Sequence, residues 1–384
     1  MGVLAMDPPD GRADRVGPLR TGPVTGLERR PVDIPVLPPH AAEVAVGAAW
    51  SASPSRPAVS VVVATFRRPG YLRELVAAFE ALVPPAGGVE AVIVDNGSGD
   101  ATWSVLVEMV EASPLALAAV RLTENRGPGG GRNAGVAIAR GEYIAFTDDD
   151  CLPTPGWLPA LMAPFDDPAV AVVQSPVAPE PVEAETMGPW DHTVEIGGPT
   201  PYFETSNVAY RTSALRAVGG FDEGDPLTSR QAGARAFGED AVLGWRVIQA
   251  GGGRAWAGDA LVHHRCVGST YVAMLRSYRW LEGMPGLAAR SGVVRDSLYR
   301  RVFLNRQTAT VDLAVVGIGT ALALRRPGPL LAVLPWVRVR WPEAVHRMRS
   351  RRRAPAYLAA RFLIEIYGAA SFVRGSIRHR RVVL

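Results

Sequence analysis

The chain has 384 residues, 48% of them hydrophobic, which allows one large domain with extensions or two domains. Its two cysteines, Cys151 and Cys266, form no CxxC pair, which excludes a disulfide framework and a cysteine-rich zinc site. All 41 basic residues are arginine and the net charge is +4, but the charge is unevenly spread. From Arg325 onward fourteen arginines face only Glu343 and Glu365, a balance of +12 that leaves about −8 for residues 1–324. A basic end on an acidic body points to an anionic surface as partner, and lipid headgroups or nucleic acid both fit that charge alone.

Residues 1–57 are rich in proline, glycine and alanine and lack sustained periodicity. They read as a largely irregular extension, partly ordered at most around VDIPVLP, with order beginning at Val59. No charged-then-apolar leader pattern opens the chain, so the cytoplasmic side is expected. VSVVVAT (59–65) is a β-branched run suited to a strand buried on both faces. A helix is expected from Tyr71 to Leu82, stopped by Pro84 and Pro85. EAVIVDNGS (90–98) is a second strand ending in turn residues, and Asp100 is placed to cap a helix running to about Glu111. AAVRLTEN (118–125) is a third strand. A glycine-rich turn then leads into a helix near Arg132–Arg140, and YIAFTDDD (143–150) is a fourth strand.

Strands alternating with helices at this spacing imply an α/β fold with a mainly parallel sheet and right-handed crossovers. Every such strand ends on one edge, where open α/β sheets bind ligands. Thr65, Asp95, Asn125 and Asp148–Asp150 share that edge. Asp148 and Asp150 are two residues apart, so on an extended segment they project to one side. Two hard oxygen ligands in one short run suit Mg²⁺ or Mn²⁺, and such an ion would offset the repulsion within the triplet and hold a diphosphate.

RGPGGGRNAG (126–135) also fits a dinucleotide fingerprint, with Asp148 following at about the ribose-binding distance. An NAD-dependent sugar-nucleotide dehydrogenase is therefore one alternative. Against it, two βα units precede the glycines, a ribose needs one carboxylate rather than three, and Arg132 in the turn suits phosphate. A non-catalytic nucleotide-sugar binding protein is the other alternative.

VSVVVATFRRPGYL, IVDNGSGDAT, NRGPGGGRNAG and AFTDDDC, in this order, resemble the nucleotide-binding half of family-2 glycosyltransferases with the GT-A fold. ETSNVAYRTSALRAVGGFDE (204–223) and FGEDAVLGWR (237–246) resemble that family's acceptor half. The likeness is to rhamnosyl and glycosyl transferases of the actinobacterial type, and it covers about residues 58–270. It implies three regions: an extension over 1–57, a GT-A catalytic domain over 58–270, and a helical, basic region over 271–384. By position it implies that Thr65, Phe66 and Arg67 line a nucleobase pocket, with Asp95 accepting the N3–H of a uracil or thymine. It implies that Asp148 lies near the ribose and the metal and that Asp150 ligates Mn²⁺ or Mg²⁺. His263 or His264 would add a third ligand, with His264 favoured by spacing.

The resemblance makes Asp240 the general base of an inverting transfer, with Glu239 positioning the acceptor or tuning its neighbour. By composition alone Asp240 reads rather as a helix cap. Asn207 and Asp222 are candidates for acceptor hydroxyls, or for turns, and Trp245 for stacking on a sugar or for the core. The donor is expected to be a UDP- or dTDP-sugar and the acceptor a saccharide or polyprenyl-linked glycan.

Arg276, Arg279 and Trp280 resemble the Q/R-x-x-R-W motif of processive synthases, but no multiple spans accompany them, so single additions are expected. TATVDLAVVGIGTALAL (308–324) and PLLAVLPWV (329–337) are each short for a bilayer span of about 20 residues. They suit a shallow hairpin or interfacial helices, with RVRWPEAVHRMRSRRR (338–353) on anionic headgroups. The expected partner is thus the inner face of a membrane and not nucleic acid.

Overall fold

The computed structural model describes residues 40–52, 56–225, 227–228 and 237–384. Eleven strands occur among them: β1 (Ala41–Val46), β2 (Val59–Thr65), β3 (Val89–Asp95), β4 (Leu117–Leu122), β5 (Tyr143–Thr147), β6 (Cys151–Pro153), β7 (Val170–Gln174), β8 (Val177–Pro179), β9 (Asn207–Arg211), β10 (Gly253–Trp256) and β11 (Val262–His264). The large sheet runs β1-β4-β3-β2-β5-β9-β7-β10. Its centre, β4-β3-β2-β5, is parallel, whereas β9 is antiparallel to both its neighbours and β1 is an antiparallel edge. The sheet is therefore mixed and mainly parallel, as the alternating pattern implies.

The β-branched runs explain its burial. Along β2, Val61 and Val63 join one core and Val62 the other, and in β3 Ile93 opposes Val92 and Val94 in the same way. Each such side chain, fully buried, stabilises the fold by roughly 1.5–3 kcal/mol relative to exposure. Helices Pro69–Glu80, Thr102–Ala112 and Gly127–Ile138 cross over between the parallel strands.

Two expectations are corrected here. Order begins before Val59: β1 pairs with β4, and in the following helix, Ala48–Ala52, Trp50 lies under the Arg140 guanidinium, 4.1 Å from the ring centroid. That guanidinium also donates to the buried Glu90 carboxylate at 2.7 Å, so residues 41–52 are tied to the sheet. The VDIPVLP segment lies outside the described residues.

The second correction concerns the glycines at 127–135, which lie inside the helix Gly127–Ile138 rather than in a turn before it. A Cβ on Gly135 would meet Val62 Cγ1 at 2.5 Å, and one on Gly131 would meet Ala64 Cβ at 2.9 Å. The glycines let the helix lie directly on β2. Packing thus overrides the low helix propensity of glycine.

A smaller sheet, β6-β11-β8, continues from the aspartate triplet. Helix Glu239–Gln249 follows a left-handed Gly238 (φ 70°). Beyond it a helical region ends in Arg306–Leu324, Leu334–Met348 and Ala354–His379. One core, including Phe237, Ala241, Tyr278, Ile364 and Phe372, packs this region against helix Glu239–Gln249.

Candidate active site

The carboxyl ends of β2, β3 and β5 converge, as parallel pairing requires. Asp149, the middle of the triplet, turns inward: Thr65 Oγ1 donates to it at 2.6 Å and Arg68 at 2.8 Å. Burial raises its pKa to about 6, against the pull of Arg68. Asp149 therefore ties the triplet to the end of β2. Asp150 accepts from the same Arg68 nitrogen at 2.6 Å. Its burial would raise its pKa, but His264 and Arg68 outweigh that and hold the carboxylate below its ordinary range. Arg68 is what locally offsets the crowded charge. The sequence motif singles out Arg67 and not Arg68, because a pairing across some eighty residues leaves no local pattern.

His264 and His263 alternate along β11, and only His264 faces the triplet, with Nε2 3.4 Å from Asp150 Oδ1. His264 Nδ1 lies 2.7 Å from the Arg265 carbonyl, to which it donates. Nε2 and a carboxylate oxygen thus face one another, a donor set that suits a divalent cation. Oxygen and imidazole ligands together fit Mn²⁺ better than Mg²⁺. The ligand atoms of Asp150, His264 and Cys151 lie within 4.8 Å of one another. Burial raises the Cys151 thiol well above its usual range, which makes it a poor thiolate ligand.

Asp148 points the other way along the rim. Its Oδ1 accepts from Arg132 at 2.7 Å, and Arg132 also lies 3.5 Å from Asp240 and 3.8 Å from Glu239. Arg132 is buried among these three acids, so its expected role as a free phosphate ligand is corrected. It joins Asp148 to the pair that opens helix Glu239–Gln249. Asp240 Oδ2 accepts from the Thr205 amide at 3.2 Å and its hydroxyl at 3.0 Å. Burial holds the Asp240 carboxyl above its ordinary pKa, opposed by Arg132 and Thr205. Glu239 is fully enclosed and neither oxygen has a hydrogen-bond partner. Burial first, then Asp240, raises its pKa to about 8. Glu204, on the same loop as Thr205, is raised to about 7, by burial above all. Neither Glu204 nor Thr205 stands out in the sequence as a site residue.

At the end of β3, Asp95 is buried; Oδ1 accepts from the Ser98 amide at 3.0 Å, and Oδ2 has no hydrogen-bond partner. Arg67 adopts a left-handed backbone (φ 57°), its amide donates to Ser98 Oγ at 2.8 Å, and its guanidinium lies over Phe66. Thr65 is spent on Asp149, so it braces the rim rather than offering its hydroxyl to a base.

Three acceptor candidates are placed elsewhere. Asn207 is buried, accepting from Trp157 Nε1 at 2.8 Å and donating to the Pro176 and Ala260 carbonyls at 2.7 Å, so its capacity is used joining the two sheets. Trp245 is core, edge-on to Phe203 and donating to the Pro201 carbonyl at 2.8 Å. Asp222 closes a turn by accepting from the Gly224 amide at 2.9 Å. Trp280 packs on Phe237, just ahead of Gly238, while Arg279 is exposed.

Comparison with known proteins agrees with this geometry. The family model described as Glycosyl transferase family 2 matches residues 60–220. A pre-mycofactocin glycosyltransferase of Mycobacterium tuberculosis is 30% identical over 224 residues, covering 55% of this chain and 43% of that protein. The chain thus spans less than half the length of that relative. The succinoglycan biosynthesis protein ExoO of Rhizobium meliloti is 39% identical over 95 residues, covering 24% of this chain and 26% of that protein. Among solved structures, a mannosyltransferase from Pyrobaculum calidifontis shares the fold with a TM-score of 0.52 at 20% identity, over 83% of this chain and 87% of that one. The sheet order, the acidic rim and the matched segment agree: residues 60–220 match the glycosyl transferase family 2 model, on a fold shared with that mannosyltransferase.

Proposed function

We propose that the chain is an inverting, metal-assisted glycosyltransferase that moves a sugar from a UDP- or dTDP-sugar to a hydroxyl of a saccharide or lipid-linked acceptor. The observation that carries this reading is Arg132. One guanidinium spans from Asp148, on the donor rim, to Asp240, at the head of the acceptor-side helix. That contact sets a carboxylate beside the donor edge, where a general base for transfer has to stand.

The roles follow from the surroundings of each group. The free Asp95 Oδ2 accepts one imino N–H; with Oδ1 engaged, it suits a uracil or thymine better than the paired donors of guanine. The archaeal mannosyltransferase is in complex with GDP-Man and Mn²⁺; the present reading keeps the cation and favours a pyrimidine base. Asp150 and His264 would hold a divalent ion, which as a Lewis acid would neutralise the leaving diphosphate, while Asp148 stays with Arg132 outside that cluster.

Asp240 takes the proton of the acceptor hydroxyl while the acceptor oxygen bonds to the anomeric carbon and the bond to the diphosphate breaks. One displacement inverts the anomeric centre. Thr205 fixes the orientation of the Asp240 carboxylate, and Arg132 keeps it ionised although it is enclosed. Glu239, protonated at neutral pH, lets Arg132 serve Asp148 and Asp240 without a third charge competing.

Asp240→Asn is the test. Sugar transfer should fall by about 10²–10⁴-fold while UDP binding, read by calorimetry, stays within about twofold. Transfer at near the wild-type rate would remove Asp240 as the base.

A further inference from the structure

The C-terminal helices carry a surface that the rest of the described chain leaves uncovered. Helix Arg306–Leu324 is apolar enough in length and composition to cross a membrane, yet only 22% of its apolar window is buried. Val316, Leu322 and Leu324 on this leg, and Leu331 and Leu334 after the turn, are each 58–74% exposed. The legs are pressed together: a Cβ on Gly317 would meet Ala332 Cβ at 2.6 Å and the Pro329 carbonyl at 2.7 Å. They form a close hairpin with apolar outer sides. Exposed arginines border it, Arg325 and Arg326 at the turn and Arg338 on the return leg. Nearby acids do not balance them, because Glu343 and Glu365 are engaged by Arg340 and Arg361.

We propose that the hairpin over residues 306–341 docks in the plane of an anionic bilayer, its leucines among the outer acyl segments and its arginines at the phosphates. Charge selects this occupant. A leucine surface bordered by unbalanced arginines is complemented by an anionic leaflet, which offers both apolar and negative surface.

Topology excludes a span. The return leg reaches Arg338 nine residues after Pro329, too soon to recross a core of about 30 Å. A single crossing would part helix Ala354–His379 from the segment Tyr278–Gly283. That contact is close: a Cβ on Gly368 would meet the Tyr278 ring at 2.7 Å, and Arg374 donates to Glu282 at 2.8 Å. Leu384 also exchanges backbone hydrogen bonds with Val302 and Leu304, just ahead of the first leg. Both ends of the unit thus stay on the catalytic side. A helix lying in the interface, with arginines reaching to the headgroups, meets every one of these constraints.

The docking surface does not depend on the proposed chemistry, and the test keeps them apart. Full-length protein is floated with phosphatidylcholine vesicles, with and without about 30% phosphatidylglycerol. It should rise only with the anionic vesicles, be released by high salt, and be extracted from them by alkaline carbonate. The triple variant Leu322→Glu, Leu331→Glu, Leu334→Glu should lose at least about tenfold in partitioning, with unchanged melting temperature and donor-sugar hydrolysis. If that variant melts early, Arg325→Gln with Arg326→Gln reads the electrostatic part alone and should weaken binding. Equal flotation with neutral vesicles, resistance to carbonate, or undiminished binding by the variants would overturn the proposal. So would a stable solution dimer that the leucine variant dissociates, which would assign the surface to a second copy.

Discussion

The α/β half and the C-terminal helices differ in the kind of group each mostly leaves unsatisfied. Of twenty exposed large hydrophobic residues among those described, five lie before residue 306 and fifteen after it. The earlier region hides thirteen of the fifteen buried polar side-chain atoms without hydrogen-bond partners among the described residues, Asp95 Oδ2 and both oxygens of Glu239 among them; Asp312 Oδ2 and Arg340 Nε are the other two. A buried polar atom without a partner costs about 1–3 kcal/mol, so its persistence points to a ligand or proton that completes it. An apolar side chain facing water marks a surface that something else covers. One region is built to enclose charge, the other to present grease bordered by positive charge.

The largest effects should separate roles inside the catalytic half. Against the collapse expected for Asp240→Asn, Glu239→Gln should keep transfer within about tenfold at neutral pH, because Gln imitates the protonated side chain. The sign of its pH dependence follows from a folded pKa raised to about 8. The stability Glu239 contributes is full below the ordinary glutamate range and declines until pH passes about 8. Melting curves of the wild type should therefore fall relative to Glu239→Gln across that window. Parallel curves would show Glu239 ionised throughout.

Metal dependence offers the next division. His264→Ala should raise the Mn²⁺ concentration for half-maximal transfer by at least about tenfold, as loss of a ligand does, while His263→Ala should leave it unchanged. Equal effects would unseat the assignment drawn from the alternation along β11.

The legible part of the molecule is the part governed by local period. Buried β-branched runs reveal β2, β3 and β5, and turn residues mark the rim they share, so the acidic edge is visible in the order of residues alone. Roles that depend on a distant partner are not. Arg68 is opaque because its two carboxylates lie 81 and 82 residues away. Asn207 and Trp245 resemble acceptor residues because a sequence does not show the carbonyls they satisfy. β1 is a short edge strand in alanine-rich surroundings, too weak a signal to separate from the irregular stretch before it. The glycines of 127–135 imitate a phosphate loop because close helix–sheet approach and close phosphate approach both require a missing Cβ. Gly135→Ala discriminates: with Val62 Cγ1 at 2.5 Å from the added carbon, it should destabilise the fold by about 1–3 kcal/mol while leaving nucleotide affinity unchanged in the folded fraction.

The smallest effect is the sharpest check on the contrast between the two regions. Ile93 is fully enclosed in the sheet core, whereas Leu322 is 74% exposed. Ile93→Ala removes buried methyl groups and leaves a cavity, at a cost of about 2–5 kcal/mol. Leu322→Ala removes comparable apolar volume but strands nothing, so its unfolding free energy in aqueous buffer should stay within about 0.5 kcal/mol of wild type. Denaturant unfolding measures both. If Leu322→Ala cost as much as a core substitution, the hairpin would be buried against another part of the chain or a second copy. With Leu322→Ala neutral in buffer but weakened in flotation, the leucine would contribute nothing to folding and something to docking, the division of labour that separates the two halves.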